Sequence, residues 1–236
     1  MGIPVVFTVT GAVLLAVFLK FRVDEKRVMA VIFKAFVSFC FIASALSSLT
    51  VLSGKDARFA MLITCGLIFG MLGDIWLDMK YIYREGEDTF TLSGFLVFAI
   101  GHCFYIAALA GRFCSQFKAY CVLIPIGCAI IAWLVIYFGE EKMKVKYGKY
   151  KLVVPSYGAL LVSFAAFSFS LILLTKGSEP VPIVVFIASQ FFFVSDLILN
   201  NTYYGKDKTG PVYIITNHVT YYIAQFMIAF SLCLLK

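Results

Sequence analysis

The polar positions of this chain are gathered into short segments, and apolar stretches of about twenty residues run between them. Eight such stretches can be marked, at 3–21, 29–52, 58–79, 90–110, 119–138, 152–175, 181–200 and 213–235. A helix needs about 20 mainly apolar residues to cross a bilayer, whereas a barrel strand needs about ten and alternates in polarity. The pattern therefore predicts an all-α polytopic membrane protein, a bundle of eight transmembrane helices that forms a single transmembrane domain over residues 1–236.

Composition excludes an ordinary soluble domain. The chain is 62% hydrophobic and 14% charged, with a mean hydropathy of +0.95, whereas soluble domains are about 45–50% apolar and about 25% charged. The net charge of +7 is also found in nucleic-acid-binding proteins. Here the basic residues lie in short loops between apolar stretches, so membrane topology explains them and we expect no nucleic-acid partner.

The distribution of basic residues predicts an orientation. With eight spans, alternate loops share one side of the membrane, and most of the lysine and arginine residues fall on the side that carries the loops near residues 22, 82, 145 and 207. Cytoplasmic loops carry the excess of positive charge. The basic side is therefore expected in the cytosol and both termini outside.

Two carboxylates near the end of the third stretch are the first candidates for chemistry. Asp74 and Asp78 are four residues apart, which puts them on one face of a helix. Gly66 and Gly70 share that face and would let another helix approach closely. An acidic side chain inside a membrane suggests a function unless it lies at the water boundary. Asp78 is near that boundary, and Asp74, about one turn deeper, is the predicted centre of the site.

Other polar residues gather toward the same cytosolic half. Asp196 ends the aromatic run 191–196, which we expect to be fully buried, and Asn200 follows four residues later. Lys34 in the second stretch either reaches outward to water or serves as counter-ion to the aspartates. The remaining members of this polar set are Tyr157, Tyr221, Tyr222 and Gln225. The set predicts a cavity open to, or near, the cytosolic face.

The fourth and eighth stretches each carry a striped face. In the fourth, His102 shares a face with Gly94, Phe98, Gly101 and Tyr105, at a depth of about 18 Å. In the eighth, His218 heads a stripe that continues through the residues 221, 222 and 225. A buried histidine is either satisfied within the core or functional.

Two further readings concern a loop and a metal. The segment 140–151 is expected to be a solvated cytosolic loop that faces anionic lipid head groups. Asp74, His102 and Asp196 could be imagined as metal ligands, but the chain has no closely spaced histidine or cysteine pair. We therefore expect no metal site.

Together these residues resemble the YhhN-like lysoplasmalogenase family of membrane proteins over about residues 30–232. The resemblance is carried in order by Lys34, Gly73-Asp74, the face from Phe90 to Tyr105, Phe193 to Asp196, and Tyr221 to Gln225. It implies an eight-helix membrane hydrolase that cleaves the vinyl ether bond of lysoplasmalogens to a fatty aldehyde and glycerophosphoethanolamine or glycerophosphocholine. His218 has no counterpart in the family pattern and is left outside the core site.

The implied chemistry assigns roles to the polar set. A vinyl ether hydrolyses by protonation at carbon, so the enzyme needs a protonated acid and an ionised base. Asp74 and Asp196 would be this pair, in either order, and His102 with Tyr105 would orient a carboxyl group or the water. The other expected substrate-binding residues are Lys34, Asp78, Tyr157, Asn200, Tyr221, Tyr222 and Gln225. Lysophospholipid and membrane lipids are the expected partners, no cofactor is required, and the oligomeric state stays open.

Other functional classes remain possible from the residues alone. Buried carboxylates and histidine in a helical bundle are also used by proton-coupled transporters of small molecules or lipids. Against transport, the polar groups lie on one side, and the two halves show no paired broken helices. A lipid-binding or scaffold protein without turnover is the third class.

Overall fold

The computed structural model describes residues 2–50, 52–113, 115, 118–205 and 210–235. Within them the chain forms eight long helices: α1 (Gly2–Val23), α2 (Arg27–Leu49), α3 (Gly54–Met79), α4 (Glu87–Phe113), α5 (Tyr120–Phe138), α6 (Val153–Thr175), α7 (Pro180–Tyr204) and α8 (Pro211–Ser231). The described residues contain only one isolated β-bridge, Val145 with Gly205. The prediction of an all-α polytopic bundle is confirmed.

Seven of these helices, α1 to α7, are long and apolar enough to cross a membrane. The protein is therefore a multi-pass integral membrane protein. The exception, α8, carries Asn217, His218 and Gln225 within its length, and its crossing of the bilayer stays a prediction. The end of α6 and the start of α7 follow from local sequence. Lys176 and Gly177, both with positive φ, come directly after α6, and Pro residues occupy the first turn of α7.

The helices divide into two compact units, Met1–Arg112 with Gln225–Lys236, and Phe113–Ala224. Helix α8 therefore contributes residues to both. The expectation of a single transmembrane domain stays a prediction.

Close packing of α3 on α4 defines the interior of the first unit. A Cβ atom added at Gly66 would meet the Tyr105 ring, and it would lie 2.9 Å from the carbonyl oxygen of Gly101. One added at Gly73 would lie 2.7 Å from the ring of Phe98. Only glycine allows two helices to approach this closely. The predicted glycine face of α3 and the predicted inner face of α4 are thus the surfaces that meet.

In the second unit α5 packs on α6, and α6 on α7, and the connection between α5 and α6 is folded. Tyr147 is only 2% exposed and packs with Val145 and Val154 in a small apolar cluster. The backbone N–H of Lys146 donates to the carbonyl oxygen of Tyr204, 3.0 Å away. The expectation of a solvated loop over 140–151 was wrong for these buried residues, because alternate positions point inward. Its lysines are exposed as expected: Lys142, Lys144, Lys146, Lys149 and Lys151.

Candidate functional site

Lys34 joins the two carboxylates of α3. Its Nζ lies 3.1 Å from Oδ1 of Asp74 and 3.2 Å from Oδ1 of Asp78. All three side chains are buried, and Asp74 is only 2% exposed. Of the two roles left open for Lys34, the structure supports the counter-ion.

Two further residues complete this cluster, and the sequence analysis missed both. The hydroxyl of Ser38 donates to Oδ2 of Asp74 at 2.8 Å, and the guanidinium of Arg22 pairs with Oδ2 of Asp78. Ser38 lies one helical turn beyond Lys34, a spacing that could have revealed it. Arg22, near the end of α1, was grouped with the loop cations that set topology.

Each of the four carboxylate oxygens thus has a named partner. An unpaired charge is costly in a low-dielectric interior. The two aspartates also lie near the C-terminal end of α3, where the helix dipole disfavours negative charge. Arg22 and Lys34 balance both effects. Each carboxylate of the cluster is therefore paired with a cation, and Asp78 is buried within the protein.

Lys80, immediately after α3, adds a third cation. Its side chain is buried, and burial lowers the pKa of its ammonium group from 10.5 to about 8, an effect that Glu87 and Asp78 partly offset. Its Nζ lies 5.2 Å from the centre of the Tyr81 ring, and the Arg22 guanidinium carbon lies 4.6 Å from that ring. Tyr81 therefore lies against both cations.

Tyr105 and His102 form a neighbouring polar group in the first unit. The Tyr105 hydroxyl donates to Oε1 of Gln225 at 2.8 Å, and Asp74 acts on the phenol electrostatically. Nδ1 of His102 lies 2.9 Å from the carbonyl oxygen of Phe98, a contact in which the ring N–H donates. The His102 ring stands edge-on to Tyr105, with centroids 5.8 Å apart. The structure thus brings Tyr105 and Gln225 into direct contact beside Asp74.

Asp196 lies in the second unit and is partly buried. Its Oδ2 accepts a long hydrogen bond of 3.5 Å from the Tyr157 hydroxyl. The expectation that the run 191–196 is fully buried was wrong, because Phe193 is 38% exposed. The run is helical, so its inward positions are Phe192 and Ser195 while Phe193 and Val194 point away.

Hydrogen bonds within the second unit hold α7 to α8. The side-chain amide of Asn217 donates to the backbone oxygen of Ser195 at 2.8 Å, and the Ser195 hydroxyl donates to the backbone oxygen of Asn217 at 3.1 Å. The sequence analysis missed Asn217, although an amide side chain in an apolar helix is a signal of a hydrogen bond between helices.

The other predicted residues of the second unit make separate contacts. The Tyr221 ring packs against Phe192, with centroids 5.8 Å apart, and Tyr222 is buried beside it. The side-chain amide of Asn200 donates to the Tyr147 hydroxyl at 3.4 Å. Nδ1 of His218 lies 2.8 Å from the carbonyl oxygen of Ile214, so this histidine is hydrogen-bonded within its own helix.

In the part of the chain that the structure describes, no group of three or more histidine, cysteine, aspartate or glutamate residues is placed to hold a metal ion.

Comparison with known proteins gives one positive result. No curated protein and no solved structure matches this chain. The model of the YhhN family matches residues 29–232, most of the chain. Helix α1, which carries Arg22, precedes the matched region. On the strength of that match, this chain belongs to the YhhN family.

Proposed function

We propose that this protein hydrolyses the vinyl ether bond of lysoplasmalogens, releasing a fatty aldehyde and glycerophosphoethanolamine or glycerophosphocholine. Membership of the YhhN family is consistent with a hydrolase. The observation that carries the proposal is Asp74, a buried carboxylate with one oxygen held by Lys34 and the other by Ser38. Such a fixed charge in a dry interior is suited to stabilise a developing cation.

The reaction proceeds through a cationic intermediate. A proton is added to the β-carbon of the vinyl ether, and the positive charge is shared between the adjacent carbon and the ether oxygen. Water then adds to that carbon and loses a proton. The resulting hemiacetal breaks its bond to the glycerol oxygen, so that aldehyde and alcohol separate. The steps require a proton donor, a negative charge near the oxocarbenium ion and a base for the water.

The surroundings of the two aspartates support different roles. Asp74 is paired with an ammonium group, which favours its ionised form. We therefore propose that Asp74 stabilises the oxocarbenium ion and accepts the proton of the attacking water. Asp196 accepts a hydrogen bond from Tyr157, and among the described residues no lysine or arginine pairs with it. Without a cation its neutral form is favoured in an apolar setting, so we assign it the proton donor.

Neighbouring groups are proposed to orient the reactants. Tyr105 lies beside Asp74 with its hydroxyl fixed by Gln225, a suitable partner for a water molecule. His102 packs against Tyr105 and supports its position. Tyr222, Gln225 and Asn200 are proposed to bind the glycerol part of the substrate. Asp78, Tyr157 and Tyr221 are proposed as further substrate-binding residues. The site is proposed to face the cytosolic half of the membrane.

The test is a product assay on the purified protein in detergent. It is incubated with a lysoplasmalogen and, separately, with the ester lysolipid of the same chain and head group, and released aldehyde and released fatty acid are measured. We expect aldehyde from the vinyl ether and no fatty acid from the ester. Release of fatty acid from the ester would indicate a hydrolase that cleaves an ester bond and not the vinyl ether bond. If a folded protein releases neither aldehyde nor fatty acid, the proposal is wrong. Solute flux in sealed vesicles would then test transport.

A further inference from the structure

Three positively charged side chains lie around Asp78. Arg22 and Lys34 pair with it directly, and Lys80 interacts with it electrostatically. Asp74 is the other carboxylate of the cluster and shares Lys34. Glu87, which also acts on Lys80, is exposed to solvent. The buried part of the cluster therefore contains three cations and two carboxylates, while Glu87 acts on Lys80 more strongly than Asp78 does and adds a third negative charge from an exposed position.

Arg22 also retains unused hydrogen-bonding capacity. Its side chain is 9% exposed, and its Nε has no hydrogen-bond partner among the described residues. A guanidinium group presents five donors in a plane and matches the oxygens of a phosphate. A buried donor without a partner is costly, and an incoming anion would satisfy it.

A partly exposed tyrosine covers one end of the cluster. Tyr81, which lies against both Arg22 and Lys80, is 37% exposed. Arg22 is in the last turn of α1 and Lys80 directly follows α3. The ends of membrane helices lie at the level of lipid head groups. Arg22 and Lys80 are therefore situated where a lipid phosphate would arrive.

We propose that Arg22, Lys34 and Lys80 form a binding subsite for the phosphate of a lysophospholipid head group, with Asp78 occupying it internally when no anion is bound. The identity of the lipid rests on the proposed function. Two of the three cations, Arg22 and Lys80, have no role in the proposed cleavage. Arg22 lies outside the region matched by the family, so the subsite includes an element of this chain that the family match does not cover.

The subsite is tested by equilibrium binding in a non-ionic detergent, without turnover. The probes are 1-O-hexadecyl-glycerophosphocholine and 1-O-hexadecylglycerol, which share a chain and differ by the head group. Both are saturated ethers and lack the double bond that the proposed reaction must protonate. Glycerophosphocholine and inorganic phosphate are used to separate a lipid-bound phosphate from a free one.

We expect the wild-type protein to bind the phosphocholine ether at least about tenfold more tightly than the glycerol ether. K80M, which leaves the Arg22–Asp78 pair in place, and R22M should each lose most of that preference. K20M, which removes an exposed cation of α1, should retain it. D78N should bind the phosphocholine ether more tightly than wild type, because the competing carboxylate charge is gone.

The preference should also fall as pH rises through about 8, the pKa of Lys80, because the ammonium loses its charge there. The charged groups around Lys80 are Glu87 of α4, Asp78 of α3, Lys34 of α2 and Arg22 of α1. K80M should show no such change. Phosphocholine itself keeps the same charge over this range.

Three outcomes would overturn the inference: equal binding of the two ethers, a preference unaffected in K80M and R22M, or weaker phosphocholine binding in D78N. If glycerophosphocholine or inorganic phosphate binds as tightly as the lipid, the assignment to a lipid head group is wrong. These results are independent of catalysis. A phosphate-dependent preference without aldehyde release would contradict the proposed function and leave the subsite standing.

Discussion

At the residue scale, the proposed roles of Asp74 and Asp196 predict that removing either carboxylate lowers kcat by a similar factor, for different reasons. In D74N the fixed negative charge disappears, and in D196N the proton donor disappears, while the size of each side chain is kept. General acid–base groups contribute about 10²–10⁴ in rate, so we expect kcat to fall by roughly that factor in each variant. Aldehyde release by the purified variants is the measurement.

The matched control is D24N, a neutralisation in the exposed turn after α1, which should leave turnover unchanged. Extraction yield and elution volume should be the same for all three proteins. Near-normal turnover in both D74N and D196N would contradict the assignment of the pair.

The ion pair of Lys34 with Asp74 predicts that loss of the lysine destabilises the protein, and that also neutralising Asp74 restores part of the stability. K34M removes the ammonium group 3.1 Å from Oδ1 of Asp74 and leaves the hydrogen bond from Ser38 in place. Breaking a buried ion pair by removing one partner typically costs about 3–5 kcal/mol. We expect K34M to unfold well below wild type in a thermal melt in detergent. The double variant K34M/D74N should recover much of that loss, since no charge then remains at position 74. A double variant as unstable as the sum of the two single variants would contradict the pairing.

At the element scale, the contact of α3 with α4 predicts the effect of adding a methyl group. In G66A the new Cβ would lie against the Gly101 carbonyl and the Tyr105 ring, and the backbone cannot yield as a flexible side chain can. Overpacking of this kind costs about 1–3 kcal/mol, and it should also displace Tyr105 from Gln225. We expect a lower melting temperature together with reduced turnover.

The control for G66A is G127A in α5, where an added Cβ has no atom within 4 Å. It should be neutral or slightly stabilising, because alanine is the better helix former by about 1 kcal/mol. Equal effects at the two positions would argue against the close packing of α3 on α4.

The folded connection between α5 and α6 predicts that its backbone amides are protected from hydrogen–deuterium exchange in a pH-dependent way. A hydrogen bond from Lys151, with a second from the Tyr147 backbone N–H, lowers the pKa of Glu140 below its ordinary 4.5. A lowered carboxyl pKa stabilises the fold above the ordinary value, and this contribution is lost as pH falls through the lowered one. In E140Q we expect faster hydrogen–deuterium exchange of the peptide over 140–151 near neutral pH.

That difference between wild type and E140Q should shrink as the pH is brought below 4.5, since protonation removes the same charge. E141Q, at the adjacent exposed position, is the control and should exchange like wild type. A constant difference at every pH would point to a cause other than the charge of Glu140.

The sequence predicted elements better than contacts. Helix positions follow from the length and hydropathy of each stretch, and Asp74 and Lys34 stand out because charge is rare in such stretches. Ser38 and Asn217 do not stand out, since their importance depends on which neighbouring helix they face. Arg22 was misjudged because the sequence does not distinguish two kinds of cation near the end of a span: one that lies in a loop and sets topology, and one whose side chain enters the interior. Phe193 was misjudged because an unbroken apolar run carries no periodicity.

At the scale of the whole molecule, the expected orientation depends on whether α8 spans the membrane. Epitope tags fused to the two ends, probed with antibodies in intact and permeabilised cells, test this. We expect both tags to be reached in intact cells, because eight crossings return the chain to its starting side. Tags on opposite sides would indicate an odd number of crossings, in agreement with the seven helices that are long and apolar enough.

The order of charges along the chain has a consequence for biosynthesis. Arg22 and Lys34 leave the ribosome before Asp74 and Asp78, their partners in the finished protein. A charged side chain within a membrane span opposes insertion, by up to about 2.5–3.5 kcal/mol at the helix centre and by less toward its ends, so Lys34 and the two aspartates each disfavour the entry of their own helix alone. Held together, they cancel one another's charge. The early helices are therefore expected to wait beside the translocon until α3 emerges and then to enter the lipid as one group.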